Sequence, residues 1–440
     1  MFKIQTRKSL IFGLVILIVF LSFLFITIKF SKNINDILDG SCKDFLWQDA
    51  IHQMLQEPLW RERDAYDAGH YLMIPMHAAF VSRDENKTDD FDKFFKRFIK
   101  NYKQDNFDSA DDLQKLHFLY LISEYLILNK ENKNEENFEK LTNLVLEEIK
   151  NIWDSPAWQW QVCGNSSFSN MDLRINWKLE NKEVSRSFCR AIIDEELFTF
   201  AIAADIQFIL EEEAPKFISE ILDLAYKTFK SEIVFLDTKS GKWLLQPGAW
   251  TDHSDYAYSG NDEIKPNLKE NPIPGIAQDT SHSHRFPLWL VSLERSFNTR
   301  GEQDKSDYFR ELRYGLAKQF LEEVLVVPDD KFPNYRTKNF MDGYNGIYRY
   351  SYITQGKDRG YGPYELSGTM LLGWWSFLPE EKIRSVYCHI SSHFPLNEEE
   401  IKVYLGPDTT RDRHPLIKGR AQYESGLLEL INKFACELIL

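Results

Sequence analysis

Lys305-Ser-Asp-Tyr-Phe309-Arg-Glu-Leu312-Arg-Tyr-Gly-Leu316-Ala-Lys-Gln-Phe320 carries its apolar stripe, Phe309, Leu312, Leu316 and Phe320, at spacings of three, four and four. That is the period of an amphipathic helix, and it predicts one over Lys305–Val324. Working outward, the same period returns along the chain. Ser109–Asn129 opens with the capping-box-like pair Ser109 and Asp112 and carries Leu113, Leu116 and Tyr120 on one face. Glu136–Ile149 repeats the pattern with Phe138, Leu141 and Val145, and Pro215 stands at the tolerated first turn of a helix running to Phe229. Further helices are expected over Asp44–Leu55, Tyr66–Val81, Phe91–Tyr102, Arg186–Leu210, His282–Phe297, Pro363–Phe377, Glu380–Ser391 and Ala421–Leu438, twelve in all. Strand signals reduce to one hairpin, Glu232–Leu236 with Lys242–Gln246.

The expected fold class is therefore all-α with a minor β-hairpin. Short and long connections alternate, which suits an α/α toroid of about six helical hairpins, and no fixed repeat period supports a solenoid. Ahead of this body, Leu10–Ile28 is nineteen residues without a charge, flanked by Lys3, Arg7 and Lys8 on one side and Lys29 and Lys32 on the other. That is the length of one bilayer crossing. The exit, Phe25 to Ser31, offers no small-x-small cleavage site, so an uncleaved anchor is expected. The reading divides the chain into a cytoplasmic N-terminus (1–9), a transmembrane anchor (10–28), a juxtamembrane linker (29–41) and a helical domain (42–440). The positive-inside rule places that domain in the periplasm or outside the cell.

The 440 residues carry a formal charge of −14, and no basic tract follows the anchor, which excludes the electrostatic footprint of a nucleic-acid binder. The five cysteines are scattered, without zinc spacing, and one disulfide such as Cys163–Cys189 fits an oxidising compartment. No metal site and no cofactor are expected.

Chemistry concentrates at three helix starts and one loop. The first cluster, Asp64 to Tyr71 and on to His77, reads as satisfied core histidines. The second, Gln278-Asp279-Thr-Ser-His282-Ser-His284-Arg285, places two imidazoles and a guanidinium within one and a half turns, and His282 and Arg285 share a face. Imidazole suits proton transfer near neutrality, and guanidinium clamps carboxylates. Capping by Asp279 beside packing histidines is the bland alternative. The third runs from Tyr348 and Arg349 to Gly360-Tyr361-Gly-Pro363-Tyr364-Glu365, where tyrosines suit sugar faces and Tyr361 or Tyr364 suits acid–base work. An aromatic core explains it equally well. The loop Trp250-Thr-Asp252-His253-Ser-Asp255 adds carboxylates and an imidazole, as glycosidic hydrolysis requires.

At Asp279-Thr-Ser-His282 and Gly360-Tyr-Gly-Pro-Tyr-Glu-Leu-Ser-Gly368 the chain resembles α/α-toroid enzymes acting on polysaccharides, alginate-lyase-like and uronyl-epimerase-like domains among them. The resemblance covers two short motifs and the helical layout, and the chain has no room for the β-sandwich that many such lyases carry. It implies a glycan in a central groove and a membrane-anchored lyase acting by β-elimination. His282 or Tyr361 would be the base, Tyr364 the acid and Arg285 the neutraliser of a uronic carboxylate. Asp279, His284, Glu365, Trp250, Asp252, His253, Tyr348 and Arg349 are the expected substrate contacts. An inverting glycoside hydrolase using Asp252, Asp279 or Glu365 is the enzymatic alternative, and a glycan-binding or assembly protein the non-enzymatic one.

Overall fold

A computed structural model describes residues 40–105, 107, 111–132, 135–156, 168–237, 239–407 and 413–438. The chain divides into two compact units, Met1–Asp49 and Ala50–Leu440. In the first, residues 40–49 are described and all are helical. The expected anchor over 10–28 lies outside the described residues. Among the described residues no helix is long and apolar enough to cross a membrane.

The second unit is all-α. Its helices begin with α1 (Glu62–Tyr71), α2 (Met73–Val81), α3 (Glu85–Asn101), α4 (Asp112–Leu128) and α5 (Glu136–Asp154). They continue with α6 (Met171–Glu180), α7 (Asp194–Leu210), α8 (Lys216–Glu232), the short α9 (Thr280–Ser283), α10 (Phe286–Thr299) and α11 (Gln303–Gln319). The last are α12 (Glu381–Ser392), α13 (Glu398–Leu405), α14 (Ala421–Glu424) and α15 (Leu427–Glu437). Two layers follow from the sequence pattern. α4 and α7 are apolar nearly all round and buried along most of their length, as central helices must be. α3, α5 and α8 are amphipathic and bury one face. In α3 that face is Phe91, Phe94, Phe95 and Phe98, spaced for one stripe, while Asp84 caps the start by accepting the Asn86 and Lys87 amides, both at 3.2 Å. Each such ring, fully buried, stabilises the domain by about 1.5–3 kcal/mol. α4 packs on α1, α5 and α7, and α7 packs on α8 and α10.

The predicted helices depart from this in identifiable ways. Tyr66–Val81 is two helices, because Pro75 lacks an amide hydrogen and its ring crowds the carbonyl of Tyr71, where α1 ends. Arg186–Leu210 is a 3-10 turn over Ser187–Arg190 and becomes α-helical only at Asp194: the Ile192 amide donates to Gln246 Oε1 at 2.7 Å and the Ile193 amide to Glu196 Oε2 at 2.9 Å, which holds the residues between extended. Pro363–Phe377 is two 3-10 turns, Ser367–Leu372 and Trp374–Phe377, separated by Gly373 in the left-handed region. The expected cap Ser109 lies outside the described residues, and Asp111 caps α4 instead. α6 and α13 were not expected. The hairpin is present as β1 (Ile233–Phe235) against β2 (Trp243–Leu245), and a second small pair joins β3 (Leu325–Val326) to β4 (Arg336–Thr337). A disulfide links Cys388 on α12 to Cys436 on α15. Cys189 is disulfide-bonded as well; the expected partner Cys163 lies outside the described residues.

Candidate active site

The long connections meet over a cavity of about 720 Å³. Both the 279–285 stretch and the 361–365 stretch contribute to its wall.

Asp279 ends the long loop and caps α9. Its carboxylate accepts the His282 amide at 3.1 Å and lies 2.8 and 2.9 Å from His282 Nδ1. Tyr256 Oη donates to it at 2.7 Å, and the Ser281 hydroxyl donates as well. Burial alone would raise the Asp279 carboxyl, but His282 and these hydroxyls outweigh it and hold it well below the usual carboxylate range. An acceptor fixed in this way places the imidazole proton on Nδ1. Nε2 is left without a hydrogen bond among the described residues, on a side chain 26% exposed to the cavity. Capping α9 and orienting the imidazole are thus served by one carboxylate.

Arg285 does not play the expected part. It is 2% exposed, pairs with Asp194, donates Nη2 to the Tyr66 hydroxyl at 2.8 Å and donates Nε to His70 Nε2 at 3.1 Å. Its charge is spent inside the protein, so the role of carboxylate neutraliser is withdrawn from it. Around it His70, His117 and His284 are all driven towards the neutral form, first by burial and then by neighbouring cationic groups. His284 Nδ1 donates to the Ser281 carbonyl at 2.7 Å.

Arg349 has the geometry Arg285 lacks. Asp255 Oδ2 takes its Nε at 2.7 Å, and the guanidinium lies over Tyr348 and Tyr352 at 5.0 and 4.9 Å from their ring centroids. Its terminal nitrogens make no hydrogen bond among the described residues. The backbone at Arg349 is left-handed, φ 53°, a strained conformation for a side-chain-bearing residue that the ion pair and rings hold in place. His253 stands next to this pair: its Nδ1 accepts the Asp255 amide at 3.2 Å, and burial lowers its proton affinity. Trp250 stacks on Tyr256 at 5.6 Å.

Tyr361 lines the cavity, fixed by paired backbone hydrogen bonds with Tyr348 at 2.8 and 2.9 Å. Glu365 lines it too, and burial raises its carboxyl, whose Oε2 accepts the Gly362 amide at 2.7 Å. Tyr364 does not line the cavity; φ is 71° there and its ring lies under the Arg336 guanidinium at 4.5 Å. Asp252 does not line it either, because its carboxylate holds the Ser187 amide at 2.7 Å and the Ser187 hydroxyl at 2.6 Å. Of the expected site residues, His282, Asp279, Tyr361, His284, Arg285, Glu365, Trp250, His253, Tyr348 and Arg349 share the cavity. Among the described residues no group of His, Cys, Asp and Glu is arranged to hold a metal ion.

Sequence reasoning missed the α7 and α1 contributions. Asp194 and Glu195 open α7 at the cavity wall, and Glu195, almost wholly buried, is pushed up to about 7 by desolvation. The signal was present as the acidic run Asp194-Glu-Glu196 heading an otherwise apolar helix. Tyr66 and His70 belong to the first cluster, and Arg63 stands just ahead of it; His70 and His77 are buried, but Arg63, Tyr66 and His70 also line the cavity. No known protein family, curated protein or solved structure matches the chain.

Proposed function

We propose that the chain is a glycan-active enzyme that cleaves beside a uronic sugar by β-elimination. The observation that carries this reading is His282 Nε2, open to a large aromatic cavity while Nδ1 is tied to a buried carboxylate. His282 Nε2 removes the proton alpha to the uronic carboxylate, and that electron pair forms the new carbon–carbon double bond. The bond from the β carbon to the bridging oxygen breaks, and the Tyr361 hydroxyl supplies the proton this oxygen takes up. The alpha proton is acidic enough only when the carboxylate is neutralised, and Arg349, with its unused terminal nitrogens, takes that role. Imidazolium then returns the proton to tyrosinate.

Hydrolysis is the second reading, favoured by Glu195 and Glu365, two cavity carboxyls raised by burial as acid catalysts are. The helical layout we read as an α/α toroid: contacts run from α1 to α4, α7 and α10, on to the Trp374–Phe377 turn, then to α15 and α2, which adjoins α1. We read residues 10–28 as a membrane anchor with the domain beyond the cytoplasm, a reading supported by the Cys388–Cys436 disulfide.

Incubating the chain with a panel of uronic glycans tests the reaction. Elimination gives ultraviolet absorbance from unsaturated uronic ends, lost in His282→Ala. Reducing ends without absorbance replace this reading by hydrolysis, and binding without either product replaces it by the non-catalytic one.

A further inference from the structure

The cavity is polarised in its hydrogen-bonding chemistry. Arg349 offers unused donors at one part of the wall. The part built by the start of α7 and the residues before α10 offers acceptors. Glu195 lines the cavity, and among the described residues its carboxyl oxygens accept no hydrogen bond; Arg174 lies 3.2 Å from Oε2 as an ion-pair neighbour. His284 is 1% exposed, lines the same cavity, and its Nε2 has no hydrogen-bond partner. Its Nδ1 donates to the Ser281 carbonyl, so in the neutral ring Nε2 is a lone pair. Asp194 Oδ1, beside the oxygen that pairs with Arg285, is a third buried acceptor without a partner.

A buried acceptor left without a donor is costly, and a donor-bearing ligand removes that cost. A second carboxylate here would meet these lone pairs and the Asp194 charge, because the Arg285 donors on this wall are already taken by Asp194, Tyr66 and His70. A hydroxyl supplies one donor and no charge, whereas an ammonium supplies three donors and a positive charge. Burial leaves that carboxyl half-protonated near neutrality despite Arg174, the state that an added cation converts to full ionisation.

We infer that this wall binds a protonated amino group carried by a sugar, so that the ligand is a glycan containing a free amino sugar. The inference rests on the glycan reading of the cavity and deepens it: a uronate held at Arg349 would have an amino sugar, not a second uronate, as its neighbour.

Titration calorimetry of the full chain at pH 6.5 compares three tetrasaccharides, of β-1,4-linked glucosamine, of N-acetylglucosamine and of mannuronate. The glucosamine tetramer is expected to bind at least tenfold tighter than its N-acetylated form. In Glu195→Gln that preference should fall at least threefold while the melting temperature stays near that of the parent. Equal or tighter binding of the acetylated tetramer, no binding of the amine, or a preference unchanged in Glu195→Gln overturns the inference. His284→Phe is the second variant, expected to weaken the amine tetramer alone. If mannuronate binds and is eliminated while the amine does not bind, the lyase reading stands and this one falls; amine binding without any ultraviolet product means the reverse.

Discussion

At the scale of single residues, the Asp279–His282 pair separates orientation from reactivity. The carboxylate is 1% exposed and saturated with donors, so it cannot itself reach a substrate, yet it determines which imidazole nitrogen does. Asp279→Asn should therefore leave the cavity intact and lower kcat by about 10²–10⁴-fold, the range over which a positioned base contributes. A loss of folding, seen as a collapsed melting transition, would instead make the residue a cap and nothing more. Arg349 makes a sharper case. Its fork is held by Nε alone, so Arg349→Lys keeps a cation but loses the planar, two-pronged donor set. A fall in kcat/KM of at least tenfold on a uronic substrate is expected, and unchanged turnover would remove the residue from the mechanism. His282, Asp279 and Tyr361 were legible from residue type and spacing. The difference between Arg285 and Arg349 was not, because which arginine is already paired depends on Asp194 and Asp255 arriving from distant parts of the chain.

At the scale of elements, the site is held by segments that are not regular helices, and this is where the sequence was hardest to read. α6 went unseen because Arg174 and Lys178, which lie on its buried face with Ile175, break the apolar period; both turn inward to Glu196, at 2.9 and 2.7 Å. The two 3-10 turns over 367–377 looked helical because their apolar content is high, but Gly373 interrupts them. With φ 84° and a hypothetical Cβ only 2.8 Å from Ile74 and 3.2 Å from Ala435, it marks where this segment presses against α2 and α15. Gly373→Ala should cost about 1–3 kcal/mol from overpacking, in addition to the backbone strain. Thermal melting reads the loss, and a melting temperature within a degree of the parent would contradict the packing described. The helices with clean periods, α3, α5, α8 and α11, were found in the sequence because their exposed faces leave the stripe visible, although α3 begins at Glu85 rather than Phe91, α5 runs on to Asp154 and α11 ends at Gln319.

At the scale of the whole molecule, the buried polar network behind the cavity makes stability depend on pH. Glu124 and Asp205, both 0% exposed, share the Arg295 guanidinium at 3.0 and 2.7 Å, with His77 3.1 Å from the other Glu124 oxygen and Ser123 donating to Asp205 at 2.6 Å. One cation cannot hold two desolvated carboxylates fully ionised. Burial first, and then Glu124, raise the Asp205 carboxyl far above its ordinary range, while His77 and Arg295 overcome burial to keep Glu124 low. The folded state therefore keeps a proton on Asp205 that the unfolded chain gives up near pH 4. For an acid raised on folding, the stabilising proton is fully present in both states only below the unfolded value, and stability falls as pH climbs from there through the folded value. Glu195 contributes with the same sign. Melting temperature should thus decline between about pH 7 and 8, above the range in which His70, His117 and His284, held neutral by burial, act with the opposite sign, and Asp205→Asn, which keeps an oxygen for Arg295 but has no proton to lose, should decline less. A variant whose profile runs parallel to the parent across that interval would show that Asp205 is ionised when folded, and the shared-proton account of this core would have to be given up.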